Sequence, residues 1–125
     1  MQRIARARLQ DARALLRNRR YDGAIYLCGY AIELCLKARI CRVLDWDGFP
    51  STGKEFEGLQ SFRTHNLETL LRLSGRDRSI RKSSVEEWSA VIPWTPEFRY
   101  NPIGTATPES VRAMIKATTI LMREL

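Results

Sequence analysis

Histidine is nearly missing from this sequence and cysteine is scarce: one His and three Cys in 125 residues. One imidazole and no Cys-x-x-Cys leave a structural zinc site without its ligands, so no metal and no cofactor is expected. An odd number of cysteines argues against a disulfide framework. Cys28 and Cys35 lie two helical turns apart, roughly 10 Å along the axis, too far to bridge within one helix. The basic N-terminus has no apolar h-region after it, so no stretch has the pattern of a signal peptide, and a cytoplasmic location is expected. The most apolar run, Ala24 to Ala38, is too short and too charged in its middle to cross a bilayer. Phosphate-loop spacing is lacking too, since Gly53-Lys54 has neither the preceding Gly nor the following Ser or Thr of a Walker motif.

Arginine, by contrast, is abundant. The net charge is +7, and the first twenty residues hold Arg3, Arg6, Arg8, Arg13, Arg17, Arg19 and Arg20 against Asp11 alone. Guanidinium groups bond phosphate in bidentate fashion, so this clustering suits phosphate or nucleic-acid contact as well as a solvated helix face. A second basic cluster follows Gly75, with Arg76, Arg78, Arg81 and Lys82 opposed by Asp77.

The hydrophobic pattern is helical throughout. Ile4, Ala5, Leu9, Ala12 and Leu16 predict an amphipathic helix over 2–19. A second helix is expected from about Asp22, as N-cap, to Leu44. Residues 45–62 are rich in turn formers and read as a long loop, of the kind that is often functional or mobile. A third helix is expected over 65–74, ending at Gly75. Ser84-Val85-Glu86-Glu87 has the pattern of a capping box for a short helix ended by Pro93. Residues 93–106 form an irregular link, and Thr107-Pro108-Glu109 starts a last helix striped by Val111, Met114, Ile115, Thr118, Leu121 and Met122. No period-two run makes a convincing strand. The expectation is one all-α domain over 1–125, an up-and-down bundle of about four to five helices.

Inside the apolar second helix, Glu33 and Lys37 stand four apart, on one face and in the favourable order. A charged pair in an apolar stripe is costly unless both members are satisfied, so it marks a structural lock or the floor of a site. His65 opens the third helix, where it either caps and packs or meets an anion. Arg99 and Tyr100, after Trp94 in the proline-rich link, offer a phosphate contact and a stacking ring; alternatively, Trp88, Trp94 and Phe98 of this region simply cap the end of the bundle.

Tyr21-Asp22-Gly23-Ala24 leading into Glu33-x-x-x-Lys37-Ala38, then Thr64-His65-Asn66-Leu67, then Trp94 with Arg99-Tyr100, together resemble the HEPN family of small all-α domains. That resemblance implies nucleotide or RNA binding, with Glu33, Lys37, His65, Arg99 and Tyr100 as ligand-binding residues. It also implies a homodimer and, as a protein partner, a nucleotidyltransferase of a toxin–antitoxin module. Many HEPN proteins are metal-independent ribonucleases carrying Arg-x(4–6)-His. Here the required arginine positions before His65 are Gly58, Leu59 and Gln60, and no His follows Arg99. The motif is absent, which favours a non-catalytic ligand-binding domain with no catalytic residues. A homodimeric interaction scaffold without a ligand site and a divergent ribonuclease built on His65 stand as alternatives.

Overall fold

The computed structural model describes residues 1–125 as six α-helices with no strand: α1 Gln2–Arg17, α2 Tyr21–Leu44, α3 Leu67–Leu73, α4 Asp77–Ser83, α5 Val85–Val91 and α6 Pro108–Glu124. Two 3₁₀ turns, Gln60–Phe62 and Pro96–Tyr100, interrupt the connections. The all-helical expectation holds; the count of four to five was one short. The helix missed is α4, which hides in the second basic cluster because only Ile80 of its seven residues is buried.

α2 is the central element, with ten buried residues. It forms a hairpin with α1, and an Arg42–Gln2 hydrogen bond ties the end of one helix to the start of the other. α6 packs on both. It departs from strict up-and-down order, because Asp22 meets Gly104 and Ala106 at one end while Arg42 meets Leu125 at the other. α2 and α6 therefore run in the same direction, which the long intervening chain and its three short helices permit.

Along α1, Ala5, Leu9 and Ala12 are buried as the periodicity requires, but Ile4 is exposed, one position off the stripe. Residues 45–62 are a loop as expected, yet one anchored by aromatics. Phe49 and Phe56 are buried, and Trp46, Phe49, Phe56 and Phe62 contact edge to face, a geometry that adds to the area they bury.

Helix ends follow local chemistry. Thr107 accepts from the Ser110 amide and Ser110 returns the bond, a capping box with Pro108 in the first turn. α3 starts at Leu67, two residues later than expected, because the Asn66 side chain caps the Thr69 amide. Ser84 makes no cap; its hydroxyl instead donates to the Glu124 carboxylate of α6. Asp22 is not an N-cap either. α2 begins one residue earlier, and Asp22 accepts from the Gly104 and Ala106 amides at 2.7 and 2.8 Å, holding the link before α6. Gly75, just past α3, has φ +75°, a left-handed turn that glycine adopts without steric cost.

Candidate functional site

On α2, Tyr26, Tyr30, Glu33 and Lys37 recur at spacings of four, three and four, which places them on one face. Against this face lie His65 and Asn66 at the entrance to α3, and the segment Trp94 to Arg99. Together Tyr26, Tyr30, Glu33, His65, Trp94 and Arg99 line a cavity of about 500 Å³, completed by Asn66, Thr95, Pro96 and Glu97. That volume lies in the range of small-molecule sites.

Glu33 is the buried centre of the arrangement, with a side chain 2 % exposed. Its Oε1 accepts from Lys37 Nζ at 2.7 Å and from His65 Nδ1 at 2.7 Å. The first bond is the one that the spacing of four predicts. The second spans 32 residues and is invisible to local spacing. A carboxylate can only accept, so it selects the Nδ1–H form of the neutral ring and leaves the His65 Nε2 lone pair free. The His65 side chain is 65 % exposed, whereas Lys37 is only 13 % exposed and lies 5.1 Å from the Phe49 ring centroid. Lys37 lines a neighbouring cleft with Phe49, Phe56 and Arg63, on the far side of the Glu33–His65 bridge. Its charge is spent on Glu33 and Phe49.

The aromatic wall has its own cause. Tyr26 and Tyr30 lie nearly parallel, 8° apart in plane with centroids at 6.5 Å, and Trp94 tilts against Tyr26 at 6.0 Å. Trp94 reaches α2 because position 29 is glycine: a Cβ there would stand 2.1 Å from the indole ring. The Trp94 indole N–H is buried without an acceptor in the protein. Trp88, which the sequence pairs with Trp94 as a bundle cap, instead bonds Glu68 through its indole nitrogen.

Arg99 lies in the open on the cavity rim. Tyr100 and Tyr26 beside it stabilise the protonated guanidinium, raising its pKa, and its Cζ stands 4.9 Å from the Tyr100 ring centroid. Tyr100 itself is 74 % exposed and does not line the cavity. Of the five residues singled out from sequence, Glu33, His65 and Arg99 therefore share the cavity, Lys37 supports it from behind, and Tyr100 flanks Arg99. Tyr26, Tyr30 and Asn66 were missed as lining residues. The four-residue step between the tyrosines, continued to Glu33, was the signal that could have found the first two.

The cavity is not the strongly basic groove that the arginine count suggests. It sets Arg99 and the His65 ring against Glu33 and Glu97. In the second basic cluster, Arg81 pairs with Asp77 and Glu68, and Arg76 donates to the Glu124 carbonyl, so both are structural. Nowhere do three or more His, Cys, Asp or Glu side chains gather as a metal site would need. The thiols are quiet as well: burial pushes Cys28 up to about 12 and Cys35 up to about 11, which keeps them protonated near neutrality. No helix is long and apolar enough to cross a membrane.

Residues 1–52 match the family model described as the HEPN domain. No curated protein and no solved structure matches the chain. The matched stretch holds α1, α2 and the start of the loop after them, and thus Tyr26, Tyr30, Glu33 and Lys37, while His65 and Arg99 come from chain beyond it. The match covers α1, α2 and the start of the following loop, and over those residues this all-helical chain is similar to the HEPN domain.

Proposed function

We propose that this chain is a HEPN-like domain that binds a nucleotide, free or within RNA, in the cavity against the Tyr26–Tyr30–Glu33 face of α2, without cleaving it. The observation that carries the reading is the convergence of parallel tyrosines, a guanidinium and an oriented imidazole around one cavity of about 500 Å³. A base stacks on Tyr26 or Tyr30, as single-stranded nucleic acids do on aromatic platforms. Its phosphate meets Arg99, with His65 Nε2–H joining once the ring is protonated. Glu97 and Asn66 are placed to bond ribose hydroxyls or base edges. By the family resemblance, the domain acts as a homodimer in the cytoplasm and pairs with a nucleotidyltransferase.

The test is titration of the protein with ATP, GTP and a labelled RNA, with the RNA checked for integrity. Arg99→Ala should weaken binding about tenfold or more, the loss of one charge-assisted hydrogen bond, and the RNA should stay intact. Unchanged affinity in this variant would remove the reading, and no binding at all would leave a helical scaffold.

One observation favours a second reading, metal-independent RNA cleavage: the Glu33–His65 bond leaves Nε2 free in the cavity that Arg99 also lines. In that chemistry His65 takes the proton of a 2′-hydroxyl, whose oxygen attacks phosphorus and expels the 5′-oxygen, which takes a proton from water, while Arg99 offsets the phosphorane charge. Cleavage abolished by His65→Ala would establish it in place of simple binding.

A further inference from the structure

The arginines that the sequence concentrates near its N-terminus do not face the cavity. Arg6 and Arg13 of α1, Arg39 and Arg42 of α2 and Arg123 of α6 line a separate cleft of about 620 Å³. At about 100° per residue, Arg39 and Arg42 project from the side of α2 opposite Tyr26, Tyr30, Glu33 and Lys37. The two sites stand back to back across one helix.

The partnering of these five residues is unusual. None pairs with an Asp or Glu side chain. Arg13 donates to the Thr119 hydroxyl, and Arg42 donates to the Gln2 side chain and a Leu125 main-chain oxygen. Arg39 is half-buried and its Nε is buried with no acceptor in the protein. The one acidic side chain of the lining, Glu124, accepts from the Ser83 and Ser84 hydroxyls, and five guanidinium groups against it leave the cleft with a surplus of positive charge. Five guanidinium groups gathered around a single acidic side chain repel one another, more strongly where water is partly excluded. An anion in the cleft relieves that repulsion and supplies the acceptor that Arg39 lacks.

We infer that this cleft is a second, independent binding site, for the sugar-phosphate backbone of a nucleic acid. The length argues for a backbone over a lone phosphate. Arg6 and Arg13 are seven residues apart, about 10 Å of helix rise, a span longer than one phosphate group. A strand along α1 brings successive phosphates past guanidinium donors on three helices. The cleft offers no aromatic ring for a base, so it holds backbone without selecting sequence. This inference does not depend on what the front cavity binds.

The test measures affinity of the full chain for a fluorescein-labelled oligouridylate between about 50 and 200 mM salt. The variants are Arg6→Gln with Arg123→Gln, both at exposed positions, and the matching Arg→Lys pair. The glutamine pair should lower the slope of log affinity against log salt by about 0.7 per lost phosphate contact and weaken binding several-fold at the lower salt. The lysine pair should restore the slope. A wild-type slope in a glutamine pair with an unchanged melting curve would overturn the inference. Complete displacement of the RNA by equimolar inorganic triphosphate would assign the cleft to a small polyphosphate and overturn the backbone reading. Failure of the front cavity shows separately, as loss of mononucleotide sensitivity to Arg99→Ala.

Discussion

The two sides of α2 carry charge in opposite ways. On one, Glu33 is buried and doubly bonded, and Lys37 is held between a carboxylate and a phenyl ring. On the other, Arg39 and Arg42 line a cleft with three further arginines and a single acidic side chain, Glu124, with which none of the five pairs. A buried, saturated network fixes geometry, because its charges gain little from a new partner and lose much if broken. An unsaturated cluster contributes little to the fold and is available to a ligand. The same helix thus supplies a rigid wall for a small cavity and a charged wall for a long cleft.

The widest separation between the two sides is expected in stability. Glu33→Ala strands Lys37 and releases His65, and should cost about 3 kcal/mol in denaturant unfolding. Arg39→Gln, on the opposite side, should change stability by less than about 0.5 kcal/mol. Comparable losses for the two would erase the distinction. Gly29→Ala comes next: a methyl group where Trp94 packs forces the indole off α2, an overpacking cost of about 1–3 kcal/mol. It should also lower ligand affinity at the front cavity while leaving the salt slope of RNA binding unchanged.

The smallest effect lies at the start of α2. The Ala106 and Gly104 amides hold the Asp22 pKa below its ordinary 3.8. A carboxylate depressed on folding stabilises fully above its unfolded pKa and loses that contribution as pH falls through the folded value. The 102–107 link should therefore loosen only below about pH 3.8, seen as faster exchange of the Gly104 and Ala106 amides. Asp22→Ala should show that loosening already at neutral pH.

Much of this was legible in the sequence where the cause is local. The four-residue step fixed the Glu33–Lys37 pair, and Thr107-Pro108 fixed the start of α6. What escaped is what tertiary packing decides. Ser84 and Asp22 each had a local partner within reach and took a distant one instead, Glu124 and the Gly104–Ala106 amides. His65 came to Glu33 through the fold, and the arginine cleft needed three helices side by side. Arginine content gave the surplus of positive charge but not its location, because composition does not record which face of a helix a residue occupies.

The central claim is that the Tyr26–Glu33–His65–Arg99 cavity is a nucleotide site, and amide and imidazole NMR shifts during titration with a mononucleotide test it most directly. The account predicts saturable shifts of the His65 ring and of the Tyr26, Tyr30, Asn66 and Arg99 amides, abolished together by Arg99→Ala. Shifts confined to the arginine cleft, or none at all, would contradict it.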